Sequence, residues 1–212
     1  MSKIHPLIHN AINLDGSIEK INKFYDDWAE TYEVDLGEAY IAPKFIVNYL
    51  LEVLKSAQIP LDSLKIMDAG CGTGLIGKLL YEEGVRHIDG FDLSPEMVAV
   101  AARLNIYGTL RGEVDLSQAL DDYPPNMYDV VICGGVFTFG HVPPQGLEQL
   151  VYLCRAGGIV ILSTRTTYYD ATDFQALSDQ LIEAGRIELL QVIRDAPYTS
   201  DGYAHYWIYR CL

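Results

Sequence analysis

The residues of this chain best suited to chemistry sit in a few short segments. In Ile66-Met67-Asp68-Ala69-Gly70-Cys71-Gly72-Thr73-Gly74 an acid ends a short apolar run, and glycines follow at every second position. Glycines so spaced let the backbone turn sharply and lie close against a ligand. Asp68 sets the sign of that ligand: a loop opening into a helix offers N–H groups to an anion, whereas a carboxylate beside it welcomes a cationic amine. A second acid, Asp92, closes Ile88-Asp89-Gly90-Phe91-Asp92, where a carboxylate can accept hydrogen bonds from both hydroxyls of a ribose. Leu93 and Met97 follow as candidate walls of an adenine pocket or as plain core. A third acid, Asp115, with Leu116 beside it, could accept from a base amino group, and Glu113 competes for that place. In Cys133-Gly134-Gly135-Val136 paired glycines permit another close backbone approach.

Further candidates bear on a reacting group. Tyr25, Trp28 and Tyr32 recur at helical spacing and share one face, which suits a cation over aromatic rings and also suits ordinary packing. His141 has an imidazole whose unperturbed pKa, about 6.5, suits a general base; a structural hydrogen-bonding role is the alternative. Arg165 could bind an acidic substrate group or pair with a structural carboxylate, and Tyr203 and His205 are candidates for the same rim. No ligand cluster has metal spacing, so no metal is expected.

The segment Gly72-Thr73-Gly74-Leu75-Ile76-Gly77 also satisfies the dinucleotide pattern G-x-G-x-x-G, with Asp92 about twenty residues on. Asp68 argues against that reading, because a carboxylate beside the loop repels a pyrophosphate.

These residues need elements to hold them. Apolar residues recur at helical spacing from Ser17 to Leu54, with breaks expected at Asp35-Leu36-Gly37 and Pro43, which predicts two or three helices. After Pro60 strands and helices alternate, the pattern of a doubly wound parallel sheet. Strands are expected over Leu64–Asp68, His87–Asp92, Gly108–Val114, Tyr128–Cys133 and Gly158–Thr164, with helices between them. Ser94 as N-cap and Pro95 in the first turn mark one of these helices. A helix over Phe174–Ala184 precedes strands over Ile187–Ile193 and Tyr203–Cys211, joined by a turn at Pro197–Gly202. This predicts a seven-stranded, mostly parallel α/β sheet with the last strand reversed, in a single domain: an N-terminal helical cap over 1–57 and an α/β body over 58–212.

Composition narrows the classes. A chain of 212 residues can bury a substantial core in one domain. Its 15 Lys and Arg against 29 Asp and Glu give a net charge of −14, and basic residues are scattered, which argues against nucleic acid or an anionic membrane as partner. Cys71, Cys133, Cys154 and Cys211 lack metal or disulfide-scaffold spacing. No targeting run or membrane-length apolar segment is read in the sequence, so a cytoplasmic location is expected.

The glycine segment with Asp68 at its head resembles the first motif of class I S-adenosylmethionine-dependent methyltransferases. Tyr25-Asp26-Asp27-Trp28-Ala29-Glu30-Thr31-Tyr32, the run from Gly135 to Pro143, Thr164-Arg165-Thr166 and Gly202-Tyr203 are similar to the small methyltransferases of the Williams-Beuren syndrome region type. Arg155-Ala156-Gly157-Gly158 departs from the wider superfamily, which usually has proline before the glycines. The resemblance implies S-adenosylmethionine as cofactor, held by Tyr25, Trp28, Tyr32, Asp68, Gly70, Gly72, Gly74, Leu75, Asp92, Leu93, Met97, Asp115, Leu116, Gly134, Gly135 and Val136. Asp68 would lie near the cofactor's amine. His141 and Tyr25 would serve catalysis, and His141, Arg165 and Tyr203 the substrate. A small-molecule methyl acceptor at O or N is expected. A cofactor-binding protein without turnover is the second reading and a nicotinamide oxidoreductase the third.

Overall fold

A computed structural model describes residues 17–56, 59–200 and 202–212. The described residues lead with three α-helices: α1 (Ile18–Trp28), α2 (Tyr32–Leu36) and α3 (Ala42–Ser56). α1 buries Ile21 and Trp28, one face of its periodic pattern. α2 ends at Gly37, whose φ of 49° turns the chain out of the helix. Pro43 does not break a helix, as its residue type suggested; it occupies the first turn of α3, where its missing N–H has no intrahelical partner to lose. Ala42, Ile46, Leu50 and Leu54 then lay a continuous apolar face against the sheet.

The body runs β1 (Lys65–Ala69), α4 (Leu75–Glu82), β2 (His87–Phe91), α5 (Pro95–Ala102), β3 (Tyr107–Arg111), β4 (Tyr128–Phe137), α6 (Gly146–Leu153), β5 (Cys154–Arg165), α7 (Thr166–Ala171), α8 (Phe174–Glu183), β6 (Ile187–Thr199) and β7 (Gly202–Cys211). The seven strands lie in the order β3-β2-β1-β4-β5-β7-β6. All pairings are parallel up to β5, and β7 runs antiparallel to both its neighbours. Both faces are covered. Ile66, Ile88, Val130, Ile132 and Ile161 pack with α3 and α4, while Met67, Val131, Cys133, Leu162 and Trp207 pack with α6 and α8. Each such fully buried side chain stabilises the fold by about 1.5–3 kcal/mol. The four cysteines are buried free thiols. Among the described residues no helix is long and apolar enough to cross a membrane.

Some boundaries differ from the sequence expectation for identifiable reasons. β3 ends at Arg111 rather than Val114, because Glu113 takes a positive φ of 59° and Val114 N–H leaves the ladder for the Asp92 carbonyl at 3.0 Å. β4 continues past Cys133 through both glycines, with its pairing to β5 shifting register between Cys133 and Phe137. β5 begins at Cys154, so the segment Arg155-Ala156-Gly157-Gly158 is part of the strand. β6 runs through Pro197 to Thr199 instead of stopping at Ile193. It is the edge strand of the sheet, with β7 as its one strand neighbour, so a residue without N–H is tolerated there. The short helix α7 was not anticipated.

Candidate functional site

The order reverses between β1 and β4, and ligands of open α/β sheets bind at such a point beyond the carboxyl ends of the strands. A cavity of about 780 Å³ lies there. The glycine loop after β1 forms its floor: Gly70 and Cys71 N–H both donate to the Phe91 carbonyl, at 2.8 and 2.9 Å, tying β1 to β2. Gly70, Gly72 and Gly74 have φ of 73°, 53° and 91°, which residues with a Cβ rarely adopt. Gly70 lines the cavity, and a Cβ there would run into Val136 of β4.

Asp92 forms one wall. Its Oδ2 accepts Gly72 N–H at 2.8 Å and its Oδ1 accepts Ser94 N–H at 2.9 Å, so each oxygen keeps acceptor capacity for a diol. Burial pushes its pKa up, and the backbone N–H groups of Ser94, Gly72 and Leu93 pull it back. The Ser94 hydroxyl accepts from Met97 N–H at 3.1 Å, the expected N-cap, and donates to Asp26 of α1 at 2.5 Å. That contact joins α1 to the body beside the cavity. Phe91, Leu93, Met97, Val114 and Leu116 give this end an apolar lining, with Asp115 at its edge and its Oδ1 holding Ser117 N–H at 2.8 Å.

At the other end stand Gly134, Gly135 and Val136 of β4, with His141 and Val142 beyond them. Gly135 has φ of 85°, and its N–H donates to the Ser163 hydroxyl at 3.0 Å. Tyr25 and His141, far apart in sequence, meet here with 2.9 Å between Tyr25 Oη and His141 Nε2. His141 Nδ1 lies 3.0 Å from the Phe139 carbonyl, which only accepts, so Nδ1 carries the proton and Nε2 accepts from Tyr25. Burial lowers the His141 pKa, the Phe139 carbonyl raises it and Arg165 lowers it further, leaving a neutral imidazole.

A second cavity, about 420 Å³, shares Tyr25, Tyr32, Tyr40 and Gly135 with the first and adds Trp28, Leu36, Thr138, Arg165, Tyr198 and Thr199. Burial pushes the Tyr25, Tyr32, Tyr40 and Tyr198 pKa values up, so all four remain neutral hydroxyls.

The structure thus gathers most of the sequence candidates at one cleft and sets others apart. Asp68 is fully buried behind the glycine loop and does not line the cavity. Strand alternation sends it with Ile66 to the α4 side, where Tyr107 Oη donates to its Oδ2 at 2.8 Å and its Oδ1 has no partner. Burial lifts its pKa to about 7, against the lowering effects of Tyr107 and the Gly77 backbone. Gly72, Gly74 and Leu75 shape the loop and the start of α4 without lining the cavity. Trp28 faces the second cavity, its Nε1 donating to Asp35 at 2.8 Å. Tyr203 is 56% exposed and lies outside both cavities. Alternation along β7 turns Ala204 and Tyr206 toward the Tyr198 side, and Tyr203 and His205 the other way.

Sequence reasoning passed over Ile18, Ile21 and Tyr40, and on the body Phe91, Val114 and Val142. The spacing of Ile18, Ile21 and Tyr25 carried a signal, since they share a helical face. Tyr40 carried none: a single bridge to Thr199 at the far end of β6 brings it in.

The residues present fit the cofactor that the resemblance implies. A carboxylate with free acceptor capacity, Asp92, faces an apolar pocket, and the Gly70 and Gly135 backbones have no room for a Cβ.

Comparisons with known proteins agree. Residues 67–160 match the family model described as a methyltransferase domain. Methyltransferase-like protein 27 of Homo sapiens is 33% identical over 192 residues, covering 89% of this chain and 76% of that protein. Ubiquinone biosynthesis O-methyltransferase of Psychrobacter arcticus is 28% identical over 169 residues, 73% of this chain and 65% of that one, so this chain spans just under two thirds of its length. Among solved structures, magnesium protoporphyrin IX methyltransferase from Synechocystis PCC 6803 with bound S-adenosylmethionine superposes with a TM-score of 0.66 at 19% identity, over 94% of this chain and 99% of that one. That last likeness speaks for the fold.

Proposed function

Because this chain belongs to the class I S-adenosylmethionine-dependent methyltransferases, we propose that it transfers the methyl group to an oxygen or nitrogen atom of a small molecule. When bound, S-adenosylmethionine supplies a methyl group already activated on a sulfonium sulfur. Asp92 would hold the ribose hydroxyls, and Leu93, Met97, Val114 and Leu116 the adenine, with Asp115 at its edge. Asp68 behind Gly70, in its ionised form, would favour the cationic amine, and the aromatic faces of Tyr25 and Tyr32 the sulfonium. The helices α1 and α2 would act as a cap that excludes water.

The observation that carries this reading is the Tyr25–His141 hydrogen bond where the two cavities meet. An acceptor hydroxyl or ammonium must lose a proton, and a neutral imidazole with its acceptor nitrogen turned to that junction is suited to take it. Tyr25, held protonated by burial, orients that nitrogen and can relay the proton. The O-methyltransferase name of the Psychrobacter arcticus relative supports an oxygen acceptor, and the net charge of −14 favours a small molecule over nucleic acid.

A labelled-methyl assay over a metabolite extract tests the proposal, with product expected in a hydroxyl- or amine-bearing fraction. Silence across acceptor classes would favour cofactor binding without turnover. With an acceptor in hand, His141→Gln should lower kcat by about 10²-fold and change S-adenosylhomocysteine affinity far less. Because the His141 pKa is lowered, the wild-type rate should hold through pH 7 and fall only below the ordinary imidazole value of about 6.5. An unchanged kcat in the variant would remove the base.

A further inference from the structure

The second cavity carries information about the acceptor. Arg165 is its only charged lining residue among those described, and the guanidinium makes no ion pair with a described carboxylate. Its Nε is buried with no hydrogen-bond partner, and its guanidinium carbon lies 5.1 Å from the centre of the Tyr198 ring. A partly buried cation without a counter-ion is costly. Among the described arginines, Arg103, Arg111, Arg155 and Arg210 each hold a carboxylate, and the others without one, Arg86, Arg186 and Arg194, are exposed to solvent, whereas Arg165 is partly buried. Tyr25, Tyr40 and Tyr198 supply neutral hydroxyls around it, and Trp28 and Leu36 supply apolar wall.

We infer that this cavity is the acceptor site and that the acceptor is a small aromatic or apolar carboxylate whose anionic group pairs with Arg165, leaving the rest of the molecule toward Gly135 and the Tyr25–His141 pair. The planar guanidinium fork matches a carboxylate, and stacking on Tyr198 holds the fork in place. Walls of Tyr25, Trp28, Leu36 and Tyr198 close around Arg165, which suits a small molecule better than a polymer chain. Arg165 here is a recognition residue that holds the substrate away from the reacting atom. The inference rests on the methyltransferase reading, because the cavity adjoins the cofactor cavity, with Tyr25, Tyr32, Tyr40 and Gly135 lining both.

Protein-observed NMR or calorimetry on the full chain, with and without S-adenosylhomocysteine, would use benzoate, its neutral counterpart benzamide, and phenyl phosphate as probes. Benzoate should bind at least tenfold more tightly than either of the others to the wild type. Arg165→Met should erase the preference over benzamide, and Arg165→Lys should keep part of it. Thermal melts of both variants verify folding, and S-adenosylhomocysteine affinity of Arg165→Met should stay within about threefold of wild type, a tenfold change being about 1.4 kcal/mol. Equal binding of benzoate and benzamide, or a benzoate preference that survives in a folded Arg165→Met, would overturn the assignment. So would a stronger preference for phenyl phosphate. Failure of S-adenosylhomocysteine to bind any form would instead strike the methyltransferase reading, and it is read separately from the carboxylate arms.

Discussion

At the scale of single residues, acids serve opposite purposes depending on their partners. Asp92 was legible in the sequence because it ends an apolar strand segment, and its two oxygens are aligned by backbone N–H groups of its own loop and of Gly72. Asp68 ends the neighbouring segment, yet it is buried with one oxygen unpartnered and a pKa pushed up to about 7, against about 3.9 for a free Asp. The native state therefore holds a proton that the unfolded chain has lost between roughly pH 4 and 7. Stability should fall as pH rises through that window, by about 1.4 kcal/mol per pH unit at most, and Asp92, also raised, acts in the same direction. Asp68→Asn should be more stable than wild type at pH 8 and lose most of that advantage at pH 5, measured by urea unfolding. It should also weaken S-adenosylhomocysteine binding if the carboxylate serves the amine. Wild-type stability that climbs from pH 5 to 8, with no gain from the amide, would refute the burial argument.

At the scale of elements, the bend in β4 makes the site. Two glycines in sequence announced a close approach, and the structure shows what approaches: a Cβ at Gly134 would meet Ile76 Cδ1 at 2.5 Å, and one at Gly135 would strike the Tyr40 hydroxyl. Gly135→Ala must also accept φ of 85°, so a loss of about 1–3 kcal/mol is expected. The same change should narrow the junction of the two cavities and weaken S-adenosylhomocysteine binding. Adding Tyr40→Phe removes the struck hydroxyl, so the double variant should recover part of the stability in thermal melts but not the part due to φ. Simple additivity of the two changes would show that the collision is absent. Helix and strand existence followed from period and punctuation in nearly every element. The misplaced limits, at β3, β4, β5 and β6, are those where a bulge, a positive φ or an edge position overrode the local pattern.

At the scale of the molecule, cofactor binding and folding should be coupled, since the main cavity draws on α1, α2, the segment before α3 and four strand ends or their loops. S-adenosylhomocysteine at a hundred times its Kd should add about 2.7 kcal/mol, or a rise in Tm of about 5–11 °C for a chain of this size. NAD should give no shift, and a comparable shift with NAD would restore the dinucleotide reading of the glycine loop. The sequence by itself determined the alternation of strands and helices, the reversed β7 and the placing of acids and glycines at strand ends, because these depend on short-range period, charge and backbone freedom. Only the tertiary structure decided which of those side chains meet. The pleat of β1 turned Asp68 away from the cleft, the direction of β7 left Tyr203 outside, and one bridge between Tyr40 and Thr199 assembled a tyrosine-walled cavity around Arg165. Register and long-range pairing set the facing of each side chain, and a change of one residue in register reverses it.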